Sequence, residues 1–256
     1  MKDGRVMQNR MWLAGVGVLM LGMPPAAAAQ VVDWDDRAFI NINAAGQTQS
    51  RTIDAASVFP LYGEEASLRS SIESGKGMLF DISGGARVWG NLGFGLGFSR
   101  LSDTSASTVR ASLPHPLFFN QHREVTASVS GLEHTESAVH LFALWMLPLS
   151  AKIDMAIFAG PSFFDVSQDL VAVAIPAAEA PPFTSPAITA TKIAADDTAV
   201  GVNVGVDWSY MVTSRVGAGL FLRYAKASVT LQGGGQSADT DVGGFQIGAG
   251  LRVRFK

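Results

Sequence analysis

The sequence predicts an all-β chain, folded as an eight-stranded antiparallel up-and-down transmembrane β-barrel. Three observations carry this expectation: eight stretches alternate apolar and polar residues with period two, the joins between them are alternately short and long, and aromatic residues gather toward both ends of the apolar faces. Side chains in a strand point alternately to opposite faces, so period two gives one face to an apolar medium and the other to small and polar groups. In the last stretch, residues 242–256, Phe245, Ile247, Ala249, Leu251, Val253 and Phe255 share one parity; Gly244, Gln246, Gly248, Gly250, Arg252, Arg254 and Lys256 share the other. A soluble sheet would bury the greasy face in a core, whereas a membrane barrel turns it to lipid and lines its lumen with the rest.

The other seven stretches follow in chain order. Residues 39–47 set Ile40, Ile42 and Ala44 against Asn41, Asn43 and Gln47. Residues 79–88 set Phe80, Ile82, Ala86 and Val88 against Asp81, Ser83, Gly85 and Arg87, and residues 92–98 set Leu92, Phe94, Leu96 and Phe98 against three glycines. Residues 139–149 alternate least well, with Val139, Leu141, Ala143, Trp145 and Leu147 opposite His140, Phe142, Leu144 and Met146. Residues 153–163 place Ile153, Met155, Ile157 and Ala159 opposite Asp154, Ala156, Phe158, Gly160 and Ser162. Residues 200–212 place Val200, Val202, Val204, Val206, Trp208 and Tyr210 opposite Gly201, Asn203, Gly205, Asp207 and Ser209, and residues 216–224 place Val216, Ala218, Leu220, Leu222 and Tyr224 opposite Gly217, Gly219, Phe221 and Arg223. Eight strands, an even number, bring both ends of an up-and-down barrel to one side.

Joins 89–91, 150–152 and 213–215 are short, while 48–78, 99–138, 164–199 and 225–241 are long and include strand ends that rise above the membrane. Membrane barrels separate short turns from long outer loops in this way, and a soluble barrel has no reason to. A ten-stranded count, with 125–129 in an extra hairpin, is the competing arrangement. With the short turns at the bottom, Phe94, Trp145, Trp208, Tyr210 and Phe255 form a lower aromatic belt; Phe80, Phe98, Phe163, Tyr224 and Phe245 form an upper one. Strand propensity alone explains aromatics in strands, not their two levels. The inward set includes Asn41, Asn43, Asp81, Arg87, His140, Asp154, Asn203, Asp207, Arg223, Gln246 and Arg252. An eight-stranded barrel is only wide enough for such side chains to fill it, so Asp81, Asp154 and Asp207 are expected to pair with arginines in a plugged rod.

Composition narrows the classes. Of 256 residues 48% are apolar and 16% charged, yet beyond residue 29 no run is apolar for the roughly 20 residues a spanning helix needs. The absence of cysteine excludes disulfides, thiolate metal sites and an acyl anchor on a lipobox cysteine. A net charge of −3 offers no attraction to nucleic acid. Lys2, Arg5 and Arg10 precede the apolar run 11–23, followed by Ala27 and Ala29. This pattern predicts a signal peptide over residues 1–29, cleaved after Ala29, and a barrel domain over 30–256. Cleavage removes Lys2, Arg5, Arg10 and Asp3, a net loss of two positive charges, which takes −3 to −5.

From residue 39 to 256 the chain resembles the small outer-membrane β-barrel proteins of Gram-negative bacteria, the class with outer-membrane protein A-like eight-stranded domains. Gly250, Leu251, Arg252, Val253, Arg254 and Phe255 are similar to the C-terminal signal read by the barrel-assembly machinery. Gly248 stands where that signal normally begins with a polar residue, and Lys256 follows the usual terminal aromatic. The stretches 114–120 and 160–164 resemble uncharacterised members and add no activity. The resemblance implies residence in the outer membrane, contact with its lipid and lipopolysaccharide, assembly through the last strand, and possible extracellular partners for the long loops.

Some members of that class are lipid A deacylases or acyltransferases, so the histidines require weighing. A serine hydrolase needs a hydroxyl, a histidine and an acid that converge. His134 and His140, with Ser137, Glu133 and Glu136, come nearest. No histidine is followed two residues later by serine, and Ser137, three after His134, falls on the opposite face of a strand. The expected roles are a solvated loop for His134 and a hydrogen-bonded lumen position for His140. His115 and His122 match no metal spacing. Gly93, Gly95 and Gly97 lie in a strand with no helix following, so they make room in the lumen and do not cradle phosphate. Leu117, Phe118 and Phe119 form an apolar loop tip, fit to contact a partner, pack on other loops or dip into the outer leaflet. Pro-rich residues 177–186 read as an outer loop. The expectation is a structural or surface-interaction protein without catalytic, metal or cofactor residues; a lipid A enzyme and a narrow channel are the alternatives.

Overall fold

A computed structural model describes residues 34–256 apart from 175–178, 180, 182, 185, 187, 234 and 235; the expected signal peptide, and part of 177–186, lie outside the described residues. The described residues form ten antiparallel strands: β1 Ala38–Gln47, β2 Arg51–Leu61, β3 Glu64–Ser74, β4 Gly77–Trp89, β5 Leu92–Pro114, β6 His122–Pro148, β7 Ile153–Ala174, β8 Thr189–Met211, β9 Val216–Gly233 and β10 Gln236–Phe255. Eight of them close a ring, because β1 pairs with both β4 and β10 and the remaining neighbours follow in sequence.

The other two, β2 and β3, are a hairpin standing above β1 and β4. Ser67 to Ile72 of β3 pair with β5, and Ala56 of β2 meets Ser237 of β10. Two of the eight expected strands are therefore each interrupted once, at 48–50 and at 75–76. The Arg51 guanidinium bridges the first interruption by donating to the carbonyls of Asp241 and Gly243. The ten-stranded alternative fails at 125–129, which lies inside β6 and pairs with 107–111 of β5.

The long joins are mostly strand, not loop. Above the ring, pairing lapses between β6 and β7 beyond His134 and between β8 and β9 beyond Val202. The upper structure is thus a four-stranded sheet, β2–β3–β5–β6, and the hairpins β7–β8 and β9–β10, packed around one apolar core. At Gly131, whose φ of 72° only glycine adopts freely, a bulge shifts the register of β6 against β5 and keeps Val125 and Val129 turned to that core.

Facing is constant along most strands, but the chemistry of each face reverses. In β9 the outward residues run Val216, Ala218, Leu220, Leu222, Tyr224 and then Lys226, Ser228, Thr230, Gln232; the inward ones run Gly217, Gly219, Phe221, Arg223 and then Ala225, Ala227, Val229, Leu231. The reversal falls between Phe163 and Asp165 in β7 and between Val200 and Thr198 in β8. Below it, residues 216–224, 200–210, 153–163 and 245–255 each match the roughly nine to eleven residues with which a tilted strand crosses hydrocarbon. The small and polar inner face expected for the eight stretches holds in this lower part, and the strand extensions above it do the opposite. Where the outer medium becomes water, the apolar residues must turn inward to be buried at all.

The lower lumen is filled by one hydrogen-bonded ladder. Arg252, fully buried, donates from Nε and Nη2 to Asp207 at 3.0 and 2.7 Å and from Nη1 to Asn43 Oδ1 at 2.6 Å. Asn43 donates to Asp81 at 2.9 Å, and Asp81 pairs with Arg223 at 2.9 Å. Arg223 donates in turn to Gln246 at 2.7 Å, and Gln246 to Gln47 at 2.9 Å. Asp81 and Asp207 find arginines as expected; Asp154 does not, because Arg254 donates to Ser209 at 2.8 Å and its nearest carboxylate is Asp36 at 4.0 Å. Beneath the ladder, Trp34, Phe39, Phe142, Leu144, Met146 and Phe158 form an apolar floor. A Cβ at Gly95 would stand 2.5 Å from the Phe142 ring, so this glycine makes room for the floor. A cavity of about 30 Å³ remains beside Asn41, Arg223 and Arg254, room enough for water.

Candidate interaction surface

The distal end is organised around the turn joining β5 to β6. His115 N–H donates to the Gln121 carbonyl at 2.7 Å, closing the turn, and Leu117 N–H donates to His115 Nδ1 at 3.1 Å. The His115 ring lies 4.9 Å from that of Phe118. Asn120, at a φ of 57°, donates its N–H to Glu64 at 2.7 Å, and His122 Nε2 meets the Glu65 carbonyl at 3.1 Å. These bonds tie the turn to the start of β3. They leave Leu117 and Phe119 standing out, 66% and 75% exposed. Sixteen strand residues separate Pro114 from Phe98 at the upper aromatic belt. With the usual rise and tilt, the tip stands roughly 40 Å above the lipid. That height excludes dipping into the leaflet that holds the barrel.

Arg123 fastens the turn to its neighbours. It pairs with Glu179 through both Nη1 and Nη2 and donates to the carbonyls of Phe183 and Pro114. The Tyr62 hydroxyl donates to the same carboxylate at 3.1 Å, so three connections converge on Glu179. The Arg123 hydrogen bond holds the Glu179 carboxyl below its ordinary range, outweighing the opposing effect of burial, and raises Arg123 in return.

The expected catalytic candidates are placed otherwise. His134 is a correction: it is buried, not solvated, because it lies in β6 on the inward parity of Leu132, Glu136 and Ala138. Its Nε2 bonds Glu136 at 2.8 Å, and Glu136 also takes Arg51 at 3.1 Å and the Gly243 N–H at 3.0 Å. Burial raises the Glu136 carboxyl, but His134, Arg51 and Gly243 together bring it below the ordinary range. Ser137 faces away from this cluster, and Glu133 is exposed. His140 sits in the lumen, as expected, between Ser99 Oγ at 2.9 Å and Ser162 Oγ at 2.7 Å; Asn203 donates to Ser162 at 2.8 Å. It touches neither the lipid face nor either glutamate. His115 and His122 have the separate partners already named, and among the described residues no three acidic or histidine side chains converge as a metal site. Arg51, Arg123 and Glu179 escaped sequence reading because they lie in presumed loops, where alternation carried no signal.

Outside the lower barrel, Phe80, Phe94, Trp145, Trp208, Tyr210, Phe245 and Phe255 are all exposed, at two levels that bracket exposed Val202, Val204, Leu220 and Ile247. Above the upper level the outward residues become Lys, Ser, Thr and Asp. An even-stranded closed barrel with an exposed apolar band between paired aromatic girdles is built for one membrane. The chain is an integral barrel of the outer membrane.

No protein-family model matches the sequence, and no curated protein does. Among solved structures the chain is similar to Neisserial surface protein A, at 16% identity over 85% of this chain and 97% of that one, with a TM-score of 0.42. It is similar to outer membrane protein OprG from Pseudomonas aeruginosa, at 8% identity over 86% and 96%, TM-score 0.47. It is also similar to the outer membrane protease OmpT from Escherichia coli, at 8% over 89% and 99%, TM-score 0.39. Architecture alone assigns no activity.

Proposed function

We propose that the chain is an outer-membrane display scaffold, which holds an ordered contact surface well above the lipid for a partner outside the cell. In this reading residues 1–29 direct export and are removed, and the barrel-assembly machinery inserts the barrel through its C-terminal strand. The observation that carries the reading is the pinned turn 114–121. An apolar tip that could collapse onto the core beneath it is instead held outward by bonds to Glu64, Glu65 and Gln121. Preorganised exposed apolar side chains bind at low entropic cost. A filled lumen supports a scaffold over a channel, and the sealed settings of His134 and His140 support it over a lipid A enzyme.

The test compares cells that display the wild-type chain with cells that display Leu117→Ser/Phe119→Ser, measuring adhesion to a hydrocarbon-coated surface. The scaffold reading expects adhesion to fall severalfold at equal surface abundance. Unchanged adhesion, or stepwise ion conductance of the purified wild-type protein in planar bilayers, would contradict it.

A further inference from the structure

The outer face of the β2–β3–β5–β6 sheet carries a feature that the scaffold does not need. Register puts Arg69 of β3 directly opposite Arg110 of β5, and both side chains are exposed on the same face. Directly opposed residues on neighbouring strands hold their Cβ atoms about 4.5–5.5 Å apart, and like charges there repel. Neither arginine has an ion-pair or hydrogen-bond partner among the described residues, whereas Arg51, Arg123, Arg223 and Arg252 all do. Around the pair, five outward positions carry hydroxyls: Ser67 and Ser71 flank Arg69 along β3, Thr108 and Ser112 flank Arg110 along β5, and Thr126 lies across from Arg110 on β6, while Ala56 lies across from Arg69 on β2. None of these five side chains is engaged in a hydrogen bond among the described residues. Asp54 and Glu124, the nearest carboxylates by register, stand in the outer columns of the sheet, a row away from the arginines.

We propose that this face binds an anionic polysaccharide from outside the cell, one bearing sulfate or phosphate esters. Two adjacent guanidinium forks fit an oxyanion that bridges them, and the free hydroxyls along β3, β5 and β6 fit the sugar hydroxyls on either side. A face four strands wide, lined by polar side chains along the strands, suits an extended chain. The source follows from position. Twelve strand residues separate Arg110 from Phe98, which puts the pair roughly 30 Å above the hydrocarbon and beyond the phosphates of the lipid headgroups. The inference rests on the display reading but uses a different surface from the tip.

The experiment uses the full mature chain in nanodiscs, with sulfated dextran as probe and unsulfated dextran as control. Expected are binding of the sulfated probe alone, weakening as salt rises, and a loss of about tenfold or more in affinity for Arg69→Ser and for Arg110→Ser. Arg69→Lys should retain part of the affinity, since a point charge replaces a fork. Because each serine variant relieves a repulsion, neither should lower thermal stability, which separates lost binding from lost folding. The proposal is overturned if wild type ignores the sulfated probe, if the serine variants bind like wild type, or if purified lipopolysaccharide displaces the probe at equal potency. Leu117→Ser/Phe119→Ser should leave probe binding intact, so a failure here and a failure of the tip can be told apart.

Discussion

The lower and upper halves of this barrel share strands, parity and closure, and differ in which side of the wall is oily. In the lower half Leu220 and Leu222 face out, and Arg223 and Arg252 are buried within; a few residues higher Ser228 and Thr230 face out, and Val229 and Leu231 are buried within. What decides the direction is the medium outside, not the strand. Hydrocarbon accepts leucine and makes a polar group facing it costly, which explains the ladder from Gln47 to Arg252 in the lumen. Water accepts serine and lysine, and the upper half is then held by apolar burial like any soluble domain. One chain thus carries two kinds of stability stacked end to end.

The largest way to break the comparison is to give the upper core what the lower lumen tolerates. Leu231→Asp puts an unpaired carboxylate where no cation answers it and should cost at least several kcal/mol. Proteolysis should then cut above the upper aromatic belt while the lower strands stay protected. In the converse change, Arg252→Ala leaves Asp207 buried with Ser209 as its remaining side-chain partner and should destabilise by about 3–5 kcal/mol, read from the shift in heat-induced gel mobility. A third pair compares the outward faces. Leu220→Arg in mid-membrane should cost about 2–4 kcal/mol, and Gln232→Arg at the same parity above it should stay within about 0.5 kcal/mol.

The smallest effect is pH-dependent and confined to the distal end. Glu179 has a carboxyl held below its unfolded value, so its contribution is present above that value and is lost as pH falls through the lowered one. Hydrogen exchange in 114–123 should rise on acidification below the ordinary carboxylate range, while exchange in 216–224 does not change. Glu179→Gln should remove most of that pH dependence.

The sequence made the lower half legible because lipid demands an unbroken oily face, and Val200 to Tyr210 or Phe245 to Phe255 cannot be read otherwise. The upper half was hidden by its own construction. Val109, Ala111 and Leu113 do alternate with Thr108, Arg110 and Ser112, but on the face opposite to Phe94 and Phe98, and the parity shift at Gly131 breaks the count from Val139 upward. His134 was misplaced for another reason. It lies on the inward parity of His140, but above the level at which outward residues are greasy. The Arg69 and Arg110 pair depends on register, and register across a 41-residue separation leaves no local mark.

The reversal itself can be measured directly. The chain has no cysteine, so a spin label at Leu222→Cys or Ser228→Cys reports one outward position of β9 in a lipid-reconstituted barrel. The account predicts that collisions with lipid-soluble oxygen dominate at 222, and collisions with a water-soluble relaxation agent at 228. Equal lipid accessibility at both positions, or water at both, would contradict it.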